Sequence, residues 1–136
     1  MDDPALTEKL RHHGIGITRQ RLHIARVMLA KPRHLSADQV LAEANRDGAN
    51  VSKATVYNTL RTFTERGLLR EVNVDPNRSF YDSTLSAHHH FYNPETGELV
   101  DIPAAGLTVS GIPEPPPGTE AAEVEVIVRL RERSAV

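Results

Sequence analysis

The chain has 136 residues and a net charge of −2, and 39% of its residues are hydrophobic while only 4% are aromatic. This length suits one compact domain or two small ones, with a core of aliphatic side chains. The absence of cysteine excludes disulfides, thiolate metal sites and thiol redox sensing. The sequence has no apolar run of membrane-spanning length and no secretory apolar region, so we expect a cytoplasmic protein without a membrane partner.

The two halves of the chain differ in charge. Residues 1–83 carry 13 basic and 10 acidic side chains, a net charge of +3, whereas residues 84–136 carry 3 and 8, a net charge of −5. A basic surface attracts the phosphates of nucleic acid, and an acidic surface repels them. We therefore predict two domains, 1–83 and 84–136, of which the first binds nucleic acid.

Apolar residues at helical spacing predict four short helices in the first half. Thr18, Ser36 and Ser52 are good N-caps, and Gly67 stands where a helix commonly ends in the left-handed conformation. The predicted helices run from Pro4 to His13, from the Thr18 cap to Ala30, from Ala37 to Arg46 and from Lys53 to Arg66.

Two strands are predicted after the fourth helix, Leu68–Val74 and Arg78–Asp82, with a turn at Asp75-Pro76-Asn77. Helices followed by a β-hairpin are typical of a winged helix-turn-helix domain, whose second reading helix enters the major groove of DNA. An ordinary solvated helix face is the alternative interpretation of the fourth helix. The side chains that we predict to contact DNA are Lys53, Thr55, Tyr57, Asn58 and Arg61, with Arg19 on a phosphate.

A tract of three histidines, His88–His90, indicates a metal site in the second half. If the chain is extended from His88 to Asn93, then His88 and His90 share one face and His89 points to the other. Asp82 and Asp101 bracket the tract with carboxylates, and imidazole with carboxylate is a common ligand set for divalent metals. A solvated polar strand is the alternative.

The remainder reads as strands and loops. A strand is predicted at Glu98–Ile102, and the prolines of 112–118 exclude a helix or a central strand there. Residues 122–131 alternate, with valines and Leu130 on one face and charges on the other, interrupted by Ile127. Because such a long apolar face needs a cover, we predict a homodimer with this strand central to the domain or its interface.

Over nearly its whole length the chain resembles the ferric uptake regulator (Fur) superfamily. The resemblance is carried by Thr18–Arg21, His34–Asp38, Ala54–Leu60, Gly67-Leu68 and the histidine tract. It implies an α+β fold, with an N-terminal winged helix-turn-helix domain plus a small C-terminal α/β dimerisation domain. It also implies a homodimer that binds a double-stranded DNA operator and represses or activates genes according to metal status.

The resemblance further implies one regulatory site for iron, manganese or zinc. Its implied ligands are His34, Asp82, His88, His90 and Asp101. The superfamily's structural zinc site has two Cys-x-x-Cys pairs, but Asn93 and Thr96 stand at the first pair and this chain has no cysteine, so no structural zinc held by four cysteines is expected. In the superfamily a basic residue often stands two positions before the threonine that matches Thr18. Gly16 occupies that position here, so the minor-groove contact implied by the resemblance should be weaker.

The triple histidine, the missing cysteines and the tail look most like the iron response regulator (Irr) branch, whose members respond to haem. This likeness implies haem as a second ligand. The implied haem contacts are His88, His89, His90 and Tyr92.

These observations favour a metal- or haem-responsive dimeric DNA-binding regulator of iron or haem metabolism, not an enzyme. The spacing of the implied ligands also resembles the peroxide-sensing (PerR) branch, so an iron-dependent peroxide-sensing repressor is the alternative. A metalloenzyme is disfavoured because the ligands spread across a winged-helix hinge and no separate general base or nucleophile stands out.

Overall fold

The computed structural model describes residues 3–85 and 89–134, and the backbone alone at Ala104. The chain divides into two compact units, an N-terminal unit of residues 1–85 and a C-terminal unit of residues 86–136. The N-terminal unit contains α1 (Asp3–His12), α2 (Arg19–Leu29), β1 (His34–Ser36), α3 (Ala37–Ala44), α4 (Lys53–Glu65), β2 (Arg70–Asp75) and β3 (Arg78–Asp82). The C-terminal unit contains β4 (His89–Asn93), β5 (Glu98–Ile102) and β6 (Ile127–Arg129).

The helices begin and end where their capping residues dictate. Thr18, Ser36 and Ser52 each accept a hydrogen bond from a backbone N–H of the following turn, and Ser36 forms a reciprocal capping box with Gln39. Gly67 has a φ of +77° and closes α4 in a Schellman motif, a conformation that favours glycine. The four predicted helices are therefore confirmed, with ends that move by one or two residues.

The core of the N-terminal unit lies between the four helices. Its fully buried side chains come from α1, α2, α3 and α4: Leu6, Leu10, Ile24, Met28, Val40, Val56, Leu60 and Phe63. Burying one such side chain stabilises the fold by about 1.5–3 kcal/mol. Since the apolar stripe of α4 is held inward in this way, the opposite face of the helix must point outward.

The hairpin of β2 and β3 belongs to a three-stranded antiparallel sheet of order β1-β3-β2. The hairpin confirms the predicted wing, although β2 begins at Arg70 rather than Leu68. The strand β1 was not predicted, because a strand of three residues carries too short a pattern to detect. It places His34 directly opposite Asp82 and thereby brings together residues that are distant in sequence.

The turn between α3 and α4 is held by one side chain. The Asn45 amide donates to the carbonyl of Val51 at 2.9 Å, and its carbonyl accepts from the Val51 N–H at 2.6 Å. Nearby, the His23 ring lies 2.6 Å from the carbonyl of Ala44 and ties α2 to the end of α3. These contacts fix where α4 starts relative to α2 and α3.

The C-terminal unit is built on a three-stranded sheet of order β5-β4-β6. Strands β4 and β5 are antiparallel, with His90 opposite Asp101 and Phe91 opposite Val100. Strand β6 runs parallel to β4, with Ile127 beside His90. The predicted strand at Glu98–Ile102 is confirmed, and the predicted strand around the histidine tract is present from His89 onward.

The tail departs from its predicted form. The alternating segment 122–131 contributes only Ile127–Arg129 to the sheet, at its edge, and Val124 and Leu130 are 39% and 38% exposed. The strand is thus not central to the sheet, and its predicted place at a dimer interface stays a prediction. The neighbouring strand β4 has only five residues, and β6 pairs with three of them, His90–Tyr92. A long alternating pattern therefore gives a short edge strand.

The segment between β5 and β6 has a single 3₁₀ turn, Ala104–Gly106, followed by irregular chain to residue 126. This confirms the prediction that the proline-rich stretch excludes a helix. Among the helices that the structure describes, none combines the length and the apolar character needed to cross a bilayer.

Candidate metal centre and nucleic-acid interface

The outward face of α4 carries the polar residues predicted to contact DNA. Lys53, Tyr57, Asn58 and Arg61 are exposed, while Thr55 is half-buried because it lies within the N-terminal cap. The Arg61 guanidinium donates to the Asn58 side chain at 2.8 Å, and the Lys53 ammonium lies 5.7 Å from the centre of the Tyr57 ring. The face therefore presents cations and amides that are already oriented by their neighbours.

The wing extends this face. Tyr57 and Arg61 line an open groove of about 340 Å³ together with Glu71 and Tyr81 of the hairpin. Burial raises the pKa of the Tyr81 phenol, and the nearby Glu71 carboxylate adds to the effect. The phenol is thus a neutral hydrogen-bonding group at neutral pH. Sequence patterns did not single out Glu71 or Tyr81, since their position beside α4 depends on tertiary packing.

Arg19 lies at the first residue of α2 and is exposed. It lines an open depression of about 670 Å³ together with Ser52 and Thr55 of the α4 cap. His23 and Arg26 of α2 also line the depression. Arg26 forms a pair of hydrogen bonds with Asp3 at 2.7 Å, and the phosphate contact of Arg19 stays a prediction.

The N-terminal unit places two predicted metal ligands side by side. His34 and Asp82 are directly opposed on the antiparallel strands β1 and β3, so their side chains lie on the same face of the sheet. The His34 ring packs edge-on against Phe80 at 6.3 Å between ring centres. Asp82 is 2% exposed, and its Oδ1 accepts the N–H of Thr84 at 2.8 Å. Both donors are thus held by the strands and the chain that follows them.

The C-terminal unit repeats this arrangement with a second pair. His90 and Asp101 are directly opposed on β4 and β5, with Nε2 of His90 3.2 Å from Oδ1 of Asp101. His90 is 1% exposed, whereas half of the Asp101 side chain is open to solvent. The other ring nitrogen of His90, Nδ1, lies 3.5 Å from Oε1 of Glu125. Glu125 was not predicted as a site residue.

The remaining residues of the histidine tract differ in position. His88, a predicted metal ligand and haem contact, lies outside the described residues. His89 accepts the N–H of Val126 on its Nδ1 at 2.8 Å, which occupies one ring nitrogen within the sheet. Tyr92 is 1% exposed and shares the alternation of His90, so it lies on the same face of β4.

Comparison with known proteins identifies the family to which these features belong. The sequence model described as "Ferric uptake regulator family" matches residues 12–110. The chain belongs to the ferric uptake regulator family. The match covers both strand-opposed histidine–aspartate pairs, α4 and the wing, which are the parts of the Fur resemblance on which the site predictions depend.

Solved Fur structures share the fold. The chain matches a ferric uptake regulator from Pseudomonas aeruginosa with manganese at 24% identity and a TM-score of 0.70, covering 98% of this chain and 100% of that one. It matches a ferric uptake regulator from Francisella tularensis with iron at 18% identity and a TM-score of 0.71, covering 88% and 93%. At these identities the likeness establishes the α+β fold with its winged helix-turn-helix.

A curated relative carries a more specific name. The peroxide-responsive repressor PerR of Staphylococcus saprophyticus is 34% identical over 93 residues, which is 68% of this chain and 63% of the relative. The chain thus spans somewhat less than two thirds of the length of the curated relatives it matches. Neither this relative nor the two Fur structures give specific support to the Irr branch within the family.

Proposed function

We propose that this protein is a dimeric transcriptional regulator whose binding to double-stranded DNA depends on a divalent metal. The observation that carries the proposal is that each unit opposes a histidine and an aspartate across two antiparallel strands, His34 with Asp82 and His90 with Asp101. Strands hold such pairs more rigidly than loops do, which suits a site that must be ready for an ion.

The donor set fits the proposed ion. Imidazole nitrogen together with carboxylate oxygen suits iron, manganese and zinc, whereas the absence of cysteine removes the thiolates that select softer metals. Two of the solved structures with this fold are described with manganese and with iron. When bound, the ion would supply positive charge that neutralises Asp82 and Asp101 and a coordination geometry that fixes His34 and His90.

We propose that both pairs serve one ion, with His88 as a further ligand, in keeping with the Fur resemblance. An ion that takes ligands from both units would favour one arrangement of the DNA-binding unit relative to the C-terminal unit. It can shift that equilibrium only by its difference in affinity for the two arrangements. A typical coupling of 1–3 kcal/mol would change DNA affinity by roughly 5- to 150-fold.

The DNA-binding part of the proposal is supported by the exposed face of α4 and its adjoining wing. Arg61 and Asn58 carry the donor and acceptor groups that read base edges, while Arg19 and Lys53 suit phosphates. The charge of +3 on residues 1–83 agrees with this assignment. Family membership likewise supports a regulatory role over the metalloenzyme alternative.

The dimer is supported by one face of the C-terminal sheet. Phe91, Val100 and Val128 are neighbours on adjacent strands, and Phe91 and Val100 are 37% and 43% exposed. Exposed apolar side chains that adjoin each other indicate a contact with another protein surface. We propose that this face, opposite to the face of His90, packs against a second copy of the chain.

An iron-dependent peroxide sensor is the second candidate, favoured by the curated relative named as a peroxide-responsive repressor. In this version one oxygen atom of hydrogen peroxide is added to the imidazole ring of His34 or His88, and the other leaves as water. Mass spectrometry of peptides after treatment with ferrous iron and peroxide tests it. Peptides without added oxygen would contradict the sensor and leave the metal-dependent regulator standing.

The response to haem remains a prediction from the Irr resemblance. Of the implied haem contacts, His90 and Tyr92 are each 1% exposed, so haem ligation by either side chain would require the groups that cover it to move. A visible absorption spectrum with and without haem tests this prediction. An unchanged haem spectrum on addition of the protein would contradict it.

A selection experiment tests the proposed function. The purified protein is mixed with a pool of random DNA duplexes in the presence of manganese, and the bound duplexes are recovered and sequenced. We expect a shared sequence with two-fold symmetry, and an affinity for it that falls when a chelator removes manganese. Recovery of no shared sequence, or an affinity that the chelator leaves unchanged, would contradict the proposal.

A further inference from the structure

Glu125 contributes a carboxylate to the buried surroundings of His90. We infer that Glu125 is a positioning residue for the metal centre: its carboxylate accepts a hydrogen bond from the Nδ1–H of His90, and this leaves the Nε2 lone pair for a divalent cation beside Asp101. The inference rests on the proposed function, because it assigns to Glu125 a role in the same site.

The distances place a carboxylate at each nitrogen of one imidazole ring. Nε2 of His90 lies 3.2 Å from Oδ1 of Asp101, and Nδ1 lies 3.5 Å from Oε1 of Glu125. The His90 side chain is 1% exposed and that of Glu125 is 20% exposed, compared with 52% for Asp101. Glu125 is therefore the more enclosed of the two carboxylates, and Asp101 lies on the side open to an incoming ion.

A neutral imidazole carries one proton, on either nitrogen. If the proton is on Nδ1, the N–H can donate a hydrogen bond to the Glu125 carboxylate, and Nε2 directs its lone pair toward Asp101. A cation between Nε2 and Asp101 would then interact favourably with both. Histidine ligands commonly donate a hydrogen bond from the N–H of their second ring nitrogen to a carboxylate, which fixes the tautomer and the orientation of the ring.

The backbone of the tail holds Glu125 in place. The His90 N–H donates to the carbonyl of Val126 at 3.1 Å, and the Val126 N–H donates to Nδ1 of His89 at 2.8 Å. These two bonds hold both the N–H and the carbonyl of Val126, the residue that follows Glu125. Further along, the Leu130 N–H donates to the carbonyl of Tyr92 at 2.8 Å. The tail is thus attached to β4 beside the histidine that it would orient.

The alternation of the tail explains why Glu125 faces the ring. Ile127 pairs with His90 in the parallel register, and residues two apart in an extended chain share a face. Glu125 consequently lies on the face of His90, whereas Val126 and Val128 lie on the face of Phe91. Tail position and metal affinity are therefore coupled, since displacement of the tail removes the partner of Nδ1.

Zinc alone serves as the probe, because it is diamagnetic and suits nuclear magnetic resonance. Zinc affinity is measured by competition with a chelating dye for the wild type, Glu125→Ala, Glu125→Gln and His90→Ala. Glu120→Gln is the control, since Glu120 is an exposed acidic residue of the same segment. Nitrogen-15 spectra identify which His90 nitrogen binds zinc, with His90→Ala used to assign the signal.

We expect Glu125→Ala to weaken zinc binding about tenfold or more, as for other partners of metal-bound histidines. Glu125→Gln should recover part of that loss, because its amide oxygen still accepts from Nδ1, and Glu120→Gln should match the wild type. In the wild type the zinc-bound nitrogen should be Nε2, with Nδ1 protonated. If Glu125 had only a structural role, its substitution would lower stability. Neither the partial recovery of zinc affinity in Glu125→Gln nor zinc binding at Nε2 would then be expected.

Three results would overturn the inference. Zinc bound at Nδ1 in the wild type would reverse the roles assigned to the two nitrogens of His90. Unchanged zinc affinity in Glu125→Ala would show that Glu125 does not position His90. A loss in Glu125→Gln as complete as in His90→Ala would make Glu125 a metal ligand instead. Each of these leaves the proposed function intact, whereas wild-type zinc affinity in His90→Ala would contradict the proposed function itself.

Discussion

His90 and Asp101 face each other across β4 and β5, with 3.2 Å between Nε2 and Oδ1. This register places two residues of different strands side by side, as the pair of metal donors that we propose. His34 and Asp82 stand in the same relationship across β1 and β3. Each unit of the chain thus contributes one histidine and one carboxylate whose positions are set by strand pairing.

The two neighbouring histidines of β4 should differ in their effect on metal binding. We expect His90→Ala to weaken manganese or zinc binding at least tenfold, because it removes a buried donor opposite Asp101. His89→Ala should weaken it less, because His89 accepts the N–H of Val126 and so affects the metal only through the position of the tail. Isothermal titration of both variants is the measurement. Equal losses would contradict the alternation of faces along β4.

The arginines of the N-terminal unit should have separable effects on DNA binding. Arg61→Ala should cost about 1–3 kcal/mol and relax the choice of base at one position, because the side chain lies on the exposed face of α4. Arg19→Ala should weaken binding to all sequences equally and lower the salt slope by about one. Fluorescence anisotropy over a range of salt concentrations measures both effects.

Arg133→Ala is the matched control, because it removes the same charge from an exposed site in the C-terminal unit. DNA affinity in this variant should stay within about twofold of the wild type. If Arg61→Ala and Arg19→Ala both bound like this control, the assignment of the α4 face to DNA would be wrong.

Sequence patterns predicted the helices, the wing and β5 because each is specified by local caps, turns and alternation. They also predicted that His90 and Tyr92 share a face. They missed β1 and the approach of Glu125 to His90, because both depend on pairing between distant segments. Ile127 was the available signal: an apolar residue on the charged face of the tail indicates that this face is covered, and Glu125 shares it.

The ion pair between Arg33 and Glu43 should stabilise the N-terminal unit. Arg33 donates two hydrogen bonds to the Glu43 carboxylate, at 2.9 and 3.1 Å, and a third to the carbonyl of Val27. Both side chains are mostly buried, at 20% and 25% exposure. Glu43→Gln should therefore lower the free energy of unfolding by about 1–3 kcal/mol at pH 7, as measured by urea denaturation.

The contribution of this pair should vanish in acid. The hydrogen bonds from Arg33 hold the pKa of Glu43 below its usual value of 4.5 in the folded protein. Stabilisation from a lowered carboxyl pKa is present above the unfolded value and is lost as pH falls through the folded value. The difference between wild type and Glu43→Gln should shrink below about pH 4.5. Glu8→Gln, an exposed change on α1, should show no such difference.

The apolar face of the C-terminal sheet should control assembly. Phe91→Asp places a charge among Val100 and Val128, and we expect it to weaken the homodimer by about 2 kcal/mol or more, roughly 30-fold in the dissociation constant. Light scattering over a range of concentrations measures this. Val109→Asp, at a similarly exposed apolar residue outside the strands, is the control. A wild type that is monomeric at micromolar concentration would contradict the proposed dimer.

The most direct test of the proposed metal-dependent DNA binding is the manganese dependence of DNA affinity in variants of each unit. Anisotropy with the selected duplex is measured with manganese and with chelator, for the wild type, His34→Ala and His90→Ala, with His12→Ala, at an exposed histidine of α1, as control. We predict that manganese raises DNA affinity by about tenfold or more in the wild type and the control, and in neither of the other two variants. A wild type that does not respond to manganese, or a full response in either His34→Ala or His90→Ala, would contradict it.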